Sequence, residues 1–220
     1  MSIHLTQVGK SFGKPETHVL HEINLSIEEG ELVSLTGKSG SGKSTLLYIL
    51  STLDFPTRGE VEIGDHKVTQ MNVREVHEFR NLHMGFVFQF HHLLPELTTL
   101  ENVLIPAMKT GRHKERRAAA EELLHEFGLA DKFHRFPNQL SGGEQQRVAS
   151  ARSLVMAPKY LFADEPTGNL DSANGQVVMD LLKRVNKERQ TTVIYVTHDP
   201  DFAALAPRQI QLVDGRVVRT

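Results

Sequence analysis

The chain has 220 residues, a formal net charge of −2, 39% hydrophobic and 24% charged residues, and no cysteine. That suits one α/β domain with a sizeable core and excludes disulfides, thiolate metal sites and thiol nucleophiles. No basic stripe offers itself to nucleic acid, the N-terminus has no apolar signal-peptide core, and no run approaches the ~20 apolar residues of a membrane span, so any membrane role is expected through a partner.

In chain order, residues 2–8 and 19–27 read as strands, the second on the broken alternation of Val19, Leu20, Ile23, Leu25 and Ile27. Glu31 to Thr36 is a short apolar strand that runs into a Gly/Ser loop and then an apolar helix, Ser44 to Leu53. Val61 to Ile63 is a strand before a Gly64-Asp65 turn, and Met84 to Phe88 is a buried strand. From about Gln89 to Ala157 charged helical segments dominate, as in Lys114 to Phe127, where Ala118, Leu123, Leu124 and Phe127 space an apolar face. Lys159 to Ala163 and Thr192 to Val196 are apolar strands around an amphipathic helix, Gln176 to Arg189. Asp214-Gly215 closes a hairpin. The alternation at both ends predicts one mostly parallel sheet interrupted by a helical insertion.

Gly37-Lys38-Ser39-Gly40-Ser41-Gly42-Lys43-Ser44 fits G-x-x-x-x-G-K-[ST]. Glycines let the backbone turn several N–H groups toward phosphate oxygens, and the helix that begins there adds its positive N-terminal end. Lys43 is the ammonium for the β- and γ-phosphates, Ser44 offers a hydroxyl to Mg²⁺, and Thr45 can bond the α-phosphate. The motif alone means a nucleoside triphosphate, since kinases, GTPases and recombinases share it. Tyr160 to Ala163 then leads an apolar strand into two acids at its C-terminal edge, where open α/β sheets bind ligands. Asp164 is placed to hold Mg²⁺ through water, and Glu165 to orient or deprotonate an attacking water. Taken alone, two such acids could equally begin a plain loop.

Leu140-Ser141-Gly142-Gly143-Glu144-Gln145-Gln146-Arg147, ahead of an apolar helix from Val148 to Met156, resembles the signature loop of ABC ATPases. Gln89 is similar to that family's Q-loop glutamine, Asn169-Leu170-Asp171 to its D-loop, and His198 to its switch histidine. Phe12 matches the aromatic position that stacks on adenine, with a core or edge aromatic as the plainer alternative. The resemblance covers essentially the whole chain. It implies a P-loop NTPase core with an antiparallel β part at the N-terminal side: residues 1–88 and 158–220 form the core and β-subdomain, and 89–157 the helical subdomain.

It also implies ATP and Mg²⁺, and a homodimer with two ATP molecules between facing copies. One copy's Phe12, phosphate loop (37–45), Gln89, Asp164, Glu165 and His198 would meet the other's Ser141, Gly142, Gly143 and Glu144. Lys43, Gln89, Glu165 and His198 carry the catalysis in this picture, and Ser44, Gln89 and Asp164 face the metal. Within the family, Phe88 to Val103 looks like the corresponding stretch of ATPases that drive lipoprotein release. MacB-type export and FtsE-type signalling ATPases share the wider group. That implies integral membrane permease subunits as partners, at the cytoplasmic face of the inner membrane, with residues 89–105 as the partner-reading surface. Phe90, Leu93, Leu94 and Leu97 would divide between that surface and the helical core. The twelve histidines show no zinc-like spacing. Asn186-Lys187-Glu188-Arg189 lacks the Asp of a guanine-reading motif and reads as a solvated helix face.

Overall fold

The computed structural model describes residues 2–220. Long N-terminal strands β1 (Ile3–Phe12) and β2 (Thr17–Ile27) pair antiparallel, and β3 (Leu32–Thr36) leads into helix α1 (Lys43–Leu50). β4 (Arg58–Ile63), β5 (His66–Lys67) and α2 (Val73–His83) precede β6 (Met84–Phe88). Three helices follow, α3 (Thr99–Lys109), α4 (His113–Glu126) and α5 (Gly142–Leu154). The chain returns through β7 (Tyr160–Asp164), α6 (Ser172–Arg189), β8 (Thr192–Val196) and α7 (Pro200–Ala203), and ends in the hairpin β9 (Arg208–Val213) and β10 (Arg216–Arg219).

Two sheets result. One is antiparallel, in the order β2-β1-β4-β5; the other has six strands, β10-β9-β3-β8-β7-β6, parallel except for the β9–β10 hairpin. Strands β3, β7 and β8 are almost wholly buried, which fits their unbroken apolar runs, because a parallel sheet is covered on both faces. Alternation then divides the core. Leu161, Ala163, Val193 and Tyr195 face α3–α6, whereas Tyr160, Phe162, Ile194 and Val196 face α1 and the antiparallel sheet.

Register places the site. Across the central strands Leu35 pairs with Val196, Val196 with Asp164, and Asp164 with Phe88. The segments that follow each of these residues therefore leave the sheet at one edge: the loop from Gly37, Thr197-His198, Glu165 and Gln89.

The structure adjusts several expected boundaries. α1 ends at Leu50 rather than Leu53, and β1 runs on to Phe12. α6 starts at Ser172, earlier than the expected Gln176. α5 begins at Gly142, well before the apolar run at Val148, because Ser141 and Glu144 form a capping box that outweighs the poor helix propensity of two glycines. α2 is an element the apolar pattern does not announce: it buries only Val76 and Phe79 and begins on an Asn72–Glu75 capping box.

Candidate functional site

The phosphate loop is shaped by glycines that nothing else could replace. Gly37 sits at φ 142°, and a Cβ there would lie 2.3 Å from the Leu212 carbonyl. Gly42, at φ 99°, is the N-cap of α1, and its Cβ would meet Leu20 at 2.8 Å. Lys43 is buried, and its Nζ donates to the carbonyls of Gly37 and Lys38 at 2.9 and 3.0 Å, so the ammonium lies inside the loop it closes. The buried Ser41 hydroxyl has no protein partner. Closed backbone, internal cation and unsatisfied hydroxyl at the head of α1 together make a cradle suited to a polyphosphate.

Asp164 ends β7 opposite that helix. Its Oδ1 accepts from Ser44 Oγ at 3.0 Å and its Oδ2 from Tyr48 OH at 2.9 Å. Burial, reinforced by the Asp164 carboxylate, pushes the Tyr48 phenol up to about 12, so it remains a donor. The next residue, Glu165, adopts a left-handed backbone at φ 48°, uncommon for a side chain of its kind and a mark of functional positions. Its Oε2 accepts from His198 Nδ1 at 2.7 Å. Since a carboxylate only accepts, Nδ1 carries the proton, and the exposed ring leaves Nε2 toward solvent.

Gln89 is placed by a pair of bonds to Asn169: its Nε2 donates to Asn169 Oδ1 at 3.3 Å, and Asn169 Nδ2 donates to the Gln89 carbonyl at 3.1 Å. Of the three residues expected to face the metal, Ser44 and Asp164 are thus brought together, whereas the Gln89 amide is engaged with Asn169. Ser141 and Glu144 bond each other across the first turn of α5; the bond from the Ser141 N–H holds the Glu144 carboxyl below its usual range. Ser141 and Gly142 are exposed while Gly143 is packed: a Cβ on Gly143 would fall 2.5 Å from Asn174 Oδ1. Among the described residues, no hydrogen bond joins this turn to the phosphate loop of its own chain.

Phe12 is 45% exposed at the end of β1, with Lys10 Nζ 4.8 Å from its ring centroid. Lys10 is itself held by Asp54 Oδ1 and the Phe55 carbonyl, both at 2.6 Å. One face of an exposed aromatic is thereby backed by a fixed cation.

Two residues that no sequence motif assigns a role join these parts. Gln146, 1% exposed, donates from α5 to the carbonyls of Pro166 and Phe88, at 2.7 and 3.3 Å, tying the helix to the ends of β7 and β6. Arg152 donates to the carbonyls of His91 and His92 at 2.7 and 2.6 Å and fixes the segment after Gln89. A groove of about 380 Å³ opens beside that segment, lined by Phe86, Phe88, His92, Ile105, Pro106 and Met156 among others.

Residues 20–168 match the family described as "ABC transporter". The chain belongs to the ABC transporter family. Its relatives include the lipoprotein-releasing system ATP-binding protein LolD of Leptospira interrogans, 58% identical over 98% of this chain and 90% of that protein. LolD of Aquifex aeolicus is 53% identical over 91% and 89%. Among solved structures, the dimeric bacterial ABC transporter cassette MJ0796 superposes with a TM-score of 0.90 at 45% identity, covering 99% of this chain and 97% of that one. The same cassette in a post-hydrolysis state bound to ADP and Pi gives 0.87 at 42% identity, again over 99% and 97%. This chain is an ABC ATPase: it binds ATP and hydrolyses it. No helix among the described residues is long and apolar enough to cross a membrane.

Proposed function

We propose that the chain is the ATP-hydrolysing motor of a lipoprotein-releasing complex. It works as a homodimer docked from the cytoplasmic side onto permease subunits of the LolC/LolE kind in the inner membrane. The observation that carries this reading is the identity of 58% and 53%, over nearly the whole chain, to proteins named for lipoprotein release.

The domain division supports a motor. Residues 1–88 and 158–220 act as a nucleotide-holding core, and 89–157 as a helical arm tied to it by Gln146 and braced internally by Arg152. In this reading Phe12 stacks on adenine, residues Gly37 to Thr45 hold the phosphates, and Lys43 neutralises the β- and γ-oxygens. Ser44 and Asp164 suit Mg²⁺, a hard cation that takes oxygen ligands and keeps several waters. Their oxygens lie 3.0 Å apart at the loop, and no further cluster of carboxylate or histidine ligands stands among the described residues. When bound, the cation supplies charge neutralisation on the phosphate oxygens. Glu165 accepts the proton of the attacking water, His198 holds Glu165 and offers Nε2 to the γ-phosphate, and Gln89 senses the site from the arm. Ser141, Gly142, Gly143 and Glu144 of the second copy complete the cradle with the amide-rich N-terminus of α5, excluding water as the copies close.

The test is to purify the Glu165→Gln variant with ATP from membranes of the native host and identify what accompanies it. Related permease subunits carrying a lipoprotein support the proposal. A membrane protein that brings an export duct or a peptidoglycan hydrolase would move the function to drug or peptide export, or to transmembrane signalling.

A further inference from the structure

Tyr48 has no part in the sequence motifs, yet its hydroxyl meets the carboxylate at the centre of the site. It lies on α1 four residues after Ser44, so the two side chains project from the same face, one turn apart. Both reach one acceptor: Ser44 Oγ donates to Asp164 Oδ1 at 3.0 Å, and Tyr48 OH donates to Oδ2 at 2.9 Å. The Tyr48 ring is only partly buried and leans on the apolar cluster between α1 and the antiparallel sheet, so its body is fixed while its hydroxyl reaches the edge of β7.

Ser44 has one hydroxyl for two tasks, since in the reading above its oxygen also faces the cation. Whenever that hydroxyl turns away from Asp164, Oδ1 loses its donor. The bond from Tyr48 does not share that conflict, because its phenol has no other assigned partner.

We infer that Tyr48 is a positioning residue that fixes the Asp164 carboxylate through Oδ2 and so sets how tightly the site holds Mg²⁺. Partners that orient an ion-holding carboxylate without touching the ion commonly change metal affinity by about 10–100-fold when removed. Tyr48 supplies one hydrogen bond of this kind, and the lower end of that range is the expected size. The inference rests on Asp164 being the metal-facing acid.

Tyr48→Phe keeps the ring and its packing and removes only the hydroxyl. The experiment measures affinity for a fluorescent ATP analogue twice, once in EDTA and once across a Mg²⁺ titration, and repeats both in Asp164→Asn and in the double variant. Tyr48→Phe should raise the Mg²⁺ concentration for half-saturation about tenfold and leave the metal-free affinity within about twofold. Adding it to Asp164→Asn should change nothing further.

Equal weakening with and without Mg²⁺ would make Tyr48 a plain structural residue. So would an unchanged Mg²⁺ requirement, or a second loss on top of Asp164→Asn. If Asp164→Asn itself leaves the Mg²⁺ requirement unaltered, the metal-site reading fails and takes this inference with it; an effect of Asp164→Asn without one of Tyr48→Phe overturns the inference alone.

A measurement on the unmutated chain covers poor folding of the variant. The protein has three tyrosines, and Tyr160 and Tyr195 are buried within the sheet. With 3-fluorotyrosine incorporated, Mg²⁺ added to the ATP-analogue complex should move the Tyr48 fluorine resonance and spare the other two. A Tyr48 resonance indifferent to Mg²⁺ would overturn the proposal.

Discussion

His198 Nδ1 donates to Glu165 Oε2 across 2.7 Å, joining the turn after β8 to the left-handed residue that follows β7. Glu165→Gln preserves that contact, because the amide oxygen still accepts from Nδ1, and removes only the ability to take a proton. Turnover should fall by about 10²–10⁴-fold while ATP affinity stays near that of the unmutated chain. Single-turnover hydrolysis beside equilibrium binding measures both. Activity within about tenfold of the original would show that Glu165 is not the base. His198→Ala in the Glu165→Gln background should add little, as expected of residues acting as a unit.

Lys43 occupies the inside of the phosphate loop, bonded to the Gly37 and Lys38 carbonyls. Lys43→Ala removes the central cation and the bonds it donates to those two carbonyls. Nucleotide affinity should drop by at least about tenfold, since a charge-assisted hydrogen bond is worth roughly 1.5–3 kcal/mol. Isothermal titration with ATP reads this directly, and unimpaired binding would remove Lys43 from the phosphate contacts.

Ser141 and Gly142 are exposed at the start of α5, and the bonds that the Ser141 N–H and hydroxyl make to Glu144 stay within that turn. If they serve the neighbouring copy's nucleotide, Ser141→Arg should spare ATP binding by the isolated monomer and abolish both turnover and ATP-driven dimerisation. The lost cap itself costs about 1 kcal/mol of stability, for which Ser141→Ala is the control. Isothermal titration with ATP beside light scattering separates the outcomes: a variant monomer that no longer binds ATP would place Ser141 in its own chain's site.

The legible parts of this site are those whose chemistry demands fixed residue types at fixed spacing. The glycine loop, the acids at the end of β7 and the histidine after β8 all emerge at one edge because Leu35, Val196, Asp164 and Phe88 stand in register. Tyr48 is hidden because an aromatic in an apolar helix reads as core; its i+4 relation to Ser44 is the available signal. Gln146 and Arg152 act through backbone carbonyls distant in sequence, which no local pattern discloses. The early start of α5 is open to view in the Ser141–Glu144 capping box, whereas α2 is obscured because its exposed residues outnumber its buried ones.

The segment after Gln89 divides in a way the sequence leaves open. Phe90 and Leu94 are exposed, Leu97 is half-buried, and Leu93 packs against the core formed with α3–α5. Beneath them the fully buried Asn102 accepts from the Leu94 N–H and donates to the carbonyls of Leu94, Leu97 and Thr98. Asn102→Ala strands the Leu94 N–H and the Leu97 carbonyl, while the Leu94 and Thr98 carbonyls keep backbone donors, and should destabilise the chain by about 2–4 kcal/mol, read as a lower urea midpoint. Phe90→Ser with Leu94→Ser should leave that midpoint within about 0.5 kcal/mol of the original and instead weaken co-purification with the membrane partner. A large loss of stability in the double variant would make these residues core.

His91 introduces a pH dependence whose sign follows from its surroundings. Gln145 spends its amide Nε2 on the Pro137 and Leu140 carbonyls, which turns its Oε1 toward His91 Nδ1 at 3.2 Å. Nδ1 therefore carries the proton, and Nε2 is buried without a partner. Protonating Nε2 would bury an unmatched charge beside His92 and Arg152. Burial is the main cause that holds His91 below its ordinary 6.5; the bond to Gln145 opposes the shift, and His92 and Arg152 add to it. The unfolded chain thus takes up this proton at a higher pH than the folded one. The contribution of His91 to stability is complete above 6.5 and is lost as pH falls through the lower folded value. His83, also lowered by burial, acts in the same direction. Urea midpoints at about pH 7.5 and 5.5 should differ more in the unmutated chain than in His91→Asn, whose amide can still donate to Gln145. An identical difference in both proteins would show that His91 titrates alike in the folded and unfolded chain.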